Sequence, residues 1–475
     1  MSIEGFERVW GHSQHGIVCL NGVPNSGLAT SKLCPMGQKK YFRSRARTKK
    51  TRAAVEDNVR EAKFVKLLTL TLIIQFALFG LGQSLGFNFG AYLLGDKDRF
   101  NDLLFNLETT ASNIPFFLEG SPEGTQPSLY DVTNGFDYPY FKLLGVLGTN
   151  RTSSLFIMII LYALLIFALN SIIKNYKITL LISLSYPVIF TFFRGNQVIF
   201  MATLLTIYLL LIKKNRFLSA SVILSLITAH IFPFLIFGMI LILYKKYAHF
   251  LCTCLLSLSI YLIPFFVMGT SFQRNLRILS QTSSQYINDY VIKDAGLLAN
   301  NSLFGLLKTF LYLFHSGKVW SPQSRENEVL KLVSYYSFFL ILIGLFLFAI
   351  YSYKARTISI FRNPKSSIGE IFLALTLILI LFPQVSADYK LIVLIIPLVS
   401  LFQENSNYLT KRNLILYLVL LLPKHFIYWQ FDWAPTGVTL QSIVNPILGL
   451  FLLFSLTSYL GESVTRHSDQ GSDKE

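Results

Sequence analysis

The chain has 475 residues, a length that would suit about three soluble domains. Charged residues make up only 14% of it, against roughly 25% in soluble globular proteins, and apolar residues make up 53%. The apolar residues gather in runs that end at Lys or Arg, which excludes a soluble enzyme, a disordered protein and a fibre, and indicates a polytopic membrane protein.

The N-terminal segment, residues 1–63, is polar and basic, and we expect a disordered cytoplasmic tail there. Its part from Lys39 to Arg52 carries eight Lys and Arg residues and no acid. The net charge of +17 would suggest nucleic acid in a soluble protein. In a membrane protein it is better explained by basic cytoplasmic segments, so we expect membrane lipids as a partner and no nucleic acid.

Apolar runs then follow along the chain, and several are shorter than the roughly 20 residues that a straight span needs. They cover 64–86, 154–173, 178–193, 196–212, 217–229, 231–244, 248–268, 334–353, 369–383, 389–402, 413–428 and 440–460. This pattern predicts an all-α transmembrane bundle of ten to twelve spans over residues 64–460. Residues 461–475 are predicted to form a polar cytoplasmic tail.

The short connections between these runs differ in charge. With the N-terminus inside, the outer connections hold only Arg194 and Lys390. The basic residues of the inner connections are Lys174, Lys177, Lys213, Lys214, Arg216, Lys245, Lys246, Lys354, Arg356, Arg362, Lys365, Lys411 and Arg412. Because cytoplasmic loops are enriched in Lys and Arg, this bias predicts a cytoplasmic N-terminus and two long outer loops, 87–153 and 269–333.

The first outer loop opens with an acidic segment that suggests chemistry. If it is helical, Asp98 and Asp102 are four residues apart and share a face. One of them would act as a general base while the other, or Arg99, positions a partner. We favour Asp102 as the base and keep Asp98 as the alternative.

Three basic residues fall at the same predicted membrane boundary. Arg194 is either a snorkelling anchor or an anion contact. His230 is either a hydrogen-bonded structural residue or a contact to a phosphate. Lys390 either pairs with Asp388 or binds phosphate. We predict that the three basic groups converge on one anion site.

Further polar residues at this boundary complete the candidate set. Asn301 and Ser302 either bind sugar hydroxyls or cap the helix that follows them, and capping is the better-supported role. Gln197 and Tyr389 are substrate-binding candidates with Asp388. The chain has no GxxxxGK[ST], HExxH or GxSxG motif, so ATP-driven transport, zinc hydrolysis and serine hydrolysis have no support. We expect no metal and no cofactor.

The order of these segments resembles that of the integral-membrane GT-C glycosyltransferases, and most closely the bacterial polyprenol-phosphate-mannose-dependent α-1,2-mannosyltransferase family. The segments that carry the resemblance are 98–102 (Asp-Arg-Phe-Asn-Asp), 136–140 (Phe-Asp-Tyr-Pro-Tyr), 194–197 (Arg-Gly-Asn-Gln), 213–216 (Lys-Lys-Asn-Arg), 229–233 (Ala-His-Ile-Phe-Pro), 301–303 (Asn-Ser-Leu) and 383–386 (Pro-Gln-Val-Ser). The sequence departs from the family where His230 replaces a Lys, Tyr140 a second Pro, and Asn196 interrupts Gly-Gln.

The resemblance implies an inverting transferase in the cell membrane. A sugar, mannose or a similar hexose, would pass from a polyprenyl-phosphate donor to a glycolipid or glycan acceptor at the outer face. An Asp of the first loop would take the acceptor's proton, and Arg194, His230 or Lys390 would stabilise the departing lipid phosphate. Two alternatives stay open: a lipid-linked polysaccharide polymerase or ligase, and a lipid or solute transporter without chemistry.

Overall fold

The structure is a computed structural model that describes only part of the chain. The described residues are 36–84, 102–104, 107, 143–267, 273, 277, 280, 283–284, 286–293, 297, 300–315, 322–354, 367–386, 388–424, 428–431 and 434–472. The chain divides into two compact units, Met1–Ala62 and Lys63–Glu475. The first unit is helical from Met36 onward.

The described part is mainly α-helical, as predicted. Its helices are α1 Met36–Ser84, α2 Arg151–Ile173, α3 Tyr176–Ser183, α4 Tyr186–Arg194, α5 Val198–Lys213, α6 Phe217–His230, α7 Met239–Leu243, α8 Tyr247–Val267, α9 Leu303–His315, α10 Pro322–Lys354, α11 Ile368–Leu381, α12 Ile395–Gln403, α13 Lys411–Leu420 and α14 Leu440–Ser472. Two 3₁₀ segments, Phe232–Gly238 and Asp388–Leu394, and a π-helical segment, Ile287–Ile292, lie between them. An antiparallel hairpin joins β1 Tyr428–Phe431 to β2 Ala434–Thr439.

Some of these helices are long and apolar enough to cross a membrane. Four meet that condition: Asn58–Leu81, Arg151–Ile173, Gln323–Leu345 and Leu440–Leu460. The pair α3 and α4, bent by 58°, would make a fifth if it is one broken span. Seven shorter apolar helices of 10–17 residues accompany them. These helices support association with a membrane, whereas the count of ten to twelve spans stays a prediction.

Helix α5 lies at the centre of the packed core. Residues on every side of it are buried, as expected for a helix that is apolar all round. It packs against α2, α6 and the 3₁₀ segment Asp388–Leu394. At 1.5 Å per residue its 16 residues span about 24 Å, so groups at its two ends are well separated.

The bend between α3 and α4 has a clear cause. Pro187 stands in the first turn of α4, where its ring is tolerated but cannot continue α3. The broken ladder leaves backbone groups to be satisfied, and the buried side chain of Gln75 in α1 does so. Its amide donates to the carbonyl of Leu184 (3.1 Å) and its oxygen accepts from the N–H of Tyr186 (2.7 Å). The bend is thus fixed from a neighbouring helix.

The structure differs from the sequence-based expectation at the N-terminal tail and in the apolar run 413–428. Residues 36–63, expected to be disordered, are helical, because Lys, Arg, Ala and Glu are strong helix formers. Helix α13 ends at Leu420, shortly before Pro423, so the apolar run 413–428 does not form one helix. Helix α14 extends through most of the tail 461–475.

Candidate functional site

The carboxylate of Asp102 is held by two side chains from a distant turn. Arg194 Nη2 donates to Asp102 Oδ1 at 2.7 Å, and Asn196 Nδ2 donates to Asp102 Oδ2 at 2.9 Å. The side chains of Arg194 and Asp102 are 23% and 22% exposed, so the pair is partly accessible. Charge-assisted hydrogen bonds of this kind fix the orientation of the carboxylate.

The turn that supplies these donors is built by its own sequence. Gly195 has φ 69°, a left-handed conformation that glycine adopts without strain at the end of a helix. Asn196 then donates its backbone N–H to the carbonyl of Thr191 (3.0 Å), and its side-chain oxygen accepts from the N–H of Val198 (3.0 Å). Asn196 therefore closes α4, opens α5 and holds Asp102 at the same time.

A third cation lies on the segment that packs against α4. The 3₁₀ segment Asp388–Leu394 contacts both α4 and α5, and Lys390 is its third residue. Lys390 lies in the connection between α11 and α12, and its Nζ donates to the carbonyl of Val385 at 3.0 Å. Burial lowers the pKa of the Lys390 ammonium to about 8. This lysine thus changes charge in a slightly alkaline range.

The residues directly before α9 hold the backbone of residues 384–386 by hydrogen bonds. Asn300 Nδ2 donates to the carbonyl of Gln384 (3.0 Å), and Asn300 Oδ1 accepts from the N–H of Ser386 (2.9 Å). Asn301 donates its backbone N–H (2.7 Å) and its side-chain Nδ2 (3.3 Å) to the carbonyl of Ser386. We call Asn300, Asn301, Ser302, Ser386 and Asn445 the amide cluster.

Two further contacts complete the amide cluster. Asn445 Nδ2, from α14, donates to Asn301 Oδ1 at 2.8 Å. Ser302 Oγ accepts from the N–H of Gly305 (3.0 Å), so Ser302 caps α9 as predicted, whereas the side chain of Asn301 bonds to Ser386 and Asn445. All five members are at most 3% exposed. The cluster joins the residues directly before α9 to the 384–386 segment and to α14.

The structure describes only some of the other predicted site residues, and in less detail. His230 is 4% exposed and is the last residue of α6, which packs against α5 and α8. Gln197 is partly buried and precedes α5. Asp98 and Arg99 lie outside the described residues, as do the side chains of Asp388 and Tyr389. The convergence of Arg194, His230 and Lys390 stays a prediction, supported for two of them by the packing of α4 against Asp388–Leu394.

A second ion pair lies at the opposite end of α5. Lys213 Nζ is 2.7 Å from Glu404 Oε1, which also accepts from Ser400 Oγ (2.8 Å). Glu404 Oε2 accepts from the N–H of Gly369 (3.1 Å), at the start of α11. The neighbouring Glu370 is 4% exposed and bonds to Ser406. This pair joins the ends of α5, α11 and α12.

Sequence reasoning missed several of these polar residues. Asn196 was treated only as an interruption of a motif, although it follows Arg194 in the same turn. Asn445 gave one signal, an Asn before Pro446 within an apolar run. Glu370 and Glu404 gave little signal, since each is a single acid beside an apolar run. In the parts of the chain that the structure describes, no group of three or more His, Cys, Asp or Glu side chains could hold a metal ion.

Comparison of the chain with family models, with curated proteins and with solved structures finds no match. The resemblance drawn from the sequence segments and the geometry of the site therefore carry the functional argument.

Proposed function

We propose that this chain is a membrane glycosyltransferase that moves a hexose from a polyprenyl-phosphate donor to an acceptor hydroxyl at the outer face of the cell membrane. One observation carries the proposal: the carboxylate of Asp102 is held in place by Arg194 and Asn196, which lie 92 and 94 residues further along the chain. A general base must be positioned within hydrogen-bond reach of the proton it takes, and these two donors supply such positioning.

The proposed reaction uses Asp102 as the proton acceptor. A carboxylate has about four acceptor positions, so the contacts with Arg194 and Asn196 are compatible with a further hydrogen bond from an acceptor hydroxyl. As the acceptor oxygen attacks the anomeric carbon, its proton passes to Asp102. The bond from that carbon to the phosphate oxygen breaks, the polyprenyl phosphate leaves, and the anomeric configuration is inverted.

Lys390 is assigned to the leaving phosphate. Its ammonium is on the segment that packs against α4, the helix that ends at Arg194. A fixed cation stabilises negative charge as it develops on the departing oxygen. His230 is kept as a further candidate for this role, and Asp98, Arg99, Gln197, Asp388 and Tyr389 as candidates for binding substrate.

The proposal includes the finer topology. It places ten to twelve spans in a GT-C-like bundle, the N-terminus in the cytoplasm, and both long loops outside. The excess of Lys and Arg in one set of short connections supports this orientation. The bent pair α3 and α4 and the shorter apolar helices supply the additional membrane segments.

A donor panel tests the proposal. Purified protein is offered polyprenyl-phosphate mannose, glucose or arabinofuranose together with a membrane lipid extract, and products are read by mass. We expect one sugar unit to be added to an acceptor from a hexose donor. Movement of the lipid across the membrane without any transfer would favour a transporter. Chain extension that does not depend on Asp102 would favour a polymerase or ligase.

A further inference from the structure

The amide cluster contains two buried oxygen atoms that its internal hydrogen bonds do not use. Ser386 and Asn445 are 0% and 1% exposed. Ser386 Oγ and Asn445 Oδ1 have no hydrogen-bond partner among the described residues. A polar atom left unpaired in a buried place costs about 1–3 kcal/mol, so such an atom generally has a partner, either an ordered water or a group of a ligand.

Asn301 bonds to both of the residues that carry these oxygens. Asn301 accepts from Asn445 Nδ2 at 2.8 Å and donates its own Nδ2 to the Ser386 carbonyl at 3.3 Å. The backbone of Ser386 is fixed in addition by Asn300 Oδ1 at 2.9 Å. The bond to Asn301 thus fixes the side chain of Asn445, and the bonds to Asn300 and Asn301 fix the backbone from which Ser386 Oγ projects.

The chemistry of the two atoms is complementary to a hydroxyl group. Asn445 Oδ1 only accepts hydrogen bonds, whereas Ser386 Oγ can donate one. One hydroxyl can donate to the amide oxygen and accept from the serine. A phosphate or a carboxylate would be repelled by the amide oxygen, which has no proton to offer.

The cluster also lies next to the proposed phosphate contact. Lys390 Nζ bonds to the carbonyl of Val385, and Val385 directly precedes Ser386. Consecutive Cα atoms are 3.8 Å apart. The carbonyl that the Lys390 ammonium contacts and the Cα that carries the Ser386 side chain therefore belong to neighbouring residues of one backbone segment. In a polyprenyl-phosphate sugar, the phosphate and the ring hydroxyls are likewise only a few bonds apart.

We propose that Ser386 and Asn445 form a subsite that binds one hydroxyl of the donor sugar while Lys390 contacts its phosphate. This inference rests on the proposed function and deepens it, because it names the residues that would distinguish one hexose donor from another. Asn300 and Asn301 are positioning residues of the subsite.

Ser386→Ala is the sharpest variant. It removes only Oγ, which has no bond to a described residue, and leaves the backbone bonds to Asn300 and Asn301 intact. We expect an unchanged thermal midpoint and a rise in donor KM of about 5- to 10-fold, the effect of losing one hydrogen bond. Ser442→Ala is the matched control. It removes a buried hydroxyl that bonds to the carbonyl of Thr439 (2.8 Å), and it should lower the thermal midpoint without changing donor KM.

A series of deoxy donors, each lacking one ring hydroxyl, identifies the contact. For one member of the series the wild type and Ser386→Ala should have the same KM, because the contacted hydroxyl is already missing. An equal rise in KM for every donor would mean that Oγ bonds to an ordered water or contributes only to packing, and it would overturn the inference. An unchanged KM for every donor would also overturn it.

Donor binding separates this inference from the proposed function. It is measured as the rise in thermal midpoint that each donor lipid causes, which needs no turnover. If the wild type transfers no sugar but Ser386→Ala weakens binding of a complete donor and not of one deoxy donor, the subsite stands and the transferase proposal falls. If the wild type transfers sugar and Ser386→Ala binds every donor normally, the subsite falls alone.

Discussion

An ion pair lies near each end of α5, and the two pairs are nearly identical in length and in the exposure of their side chains. Arg194–Asp102 and Lys213–Glu404 are both 2.7 Å long, and in each the cation is 23% and the acid 22% exposed. Their surroundings differ. Glu404 is bonded to groups of α5, α11 and α12, so it joins helix ends. Asp102 lies in the short helical segment 102–104 and is bonded to the turn after α4, the helix that packs against the segment carrying Lys390.

The comparison teaches that pair geometry alone does not reveal a role. A carboxylate bonded to groups of three helices is expected to contribute to stability, whereas a carboxylate oriented by an Arg and an Asn of one turn is suited to proton transfer. The predictions below separate these two roles by measuring turnover and thermal stability on the same variants.

The largest effect is expected for Asp102→Asn. The amide cannot accept the acceptor's proton, so turnover should fall by about 10²-fold or more. Donor binding should change little. The thermal midpoint should fall modestly, because the variant keeps one oxygen toward Arg194 while its NH2 group faces the NH2 group of Asn196. Turnover is measured by mass-resolved product formation. Near-full activity in this variant would remove Asp102 from the reaction, and a loss in Asp98→Asn instead would exchange the two roles.

Gln75→Leu tests whether the bend of α3 and α4 supports the Asp102 end. The change leaves the Leu184 carbonyl and the Tyr186 N–H unpaired, and each unpaired group costs about 1–3 kcal/mol. The thermal midpoint should fall, and turnover should fall with it because α4 ends at Arg194. Thr71→Val is the control, since Thr71 bonds only to the carbonyl of Leu67 one turn earlier in its own helix. Unchanged stability in Gln75→Leu would mean that the bend is held by other contacts.

Glu404→Gln should have the opposite signature to Asp102→Asn. Removing the charge weakens the bond to Lys213, and we expect a loss of about 1–3 kcal/mol of stability with little change in turnover by the folded enzyme. Lys213→Gln should give a similar loss, and the double variant should lose less than the sum. A fall in turnover with full stability would contradict the structural role of this pair.

The smallest effect is expected in the pH dependence of donor binding. The pKa of Lys390 is lowered to about 8, so its ammonium loses its proton as the pH rises through that value. Affinity for a polyprenyl-phosphate donor should therefore be full below about pH 7 and decline above 8. Lys390→Arg should move the decline to higher pH, since arginine stays charged. A flat profile in the wild type would exclude Lys390 as the phosphate contact.

The sequence predicts the helical class and individual residues of the site, but it does not predict which residues they contact. Asp102 stands out because it belongs to an acidic segment, and Arg194 because a basic residue in a predicted outer connection is unusual. Their contact joins residues 92 positions apart, and no periodic pattern encodes such a pair. Lys213 was interpreted only as a basic residue of a cytoplasmic connection, because its partner Glu404 lies far along the chain.

The sidedness of transfer tests the central claim most directly. Protein is reconstituted in one known orientation in sealed vesicles, and a hexose donor lipid is supplied only to one leaflet. We predict mass-detected addition of a hexose when the donor is on the Asp102 side of α5, and none when it is on the Lys213–Glu404 side. Transfer confined to the Lys213–Glu404 side, or lipid movement without any sugar addition, would contradict the account.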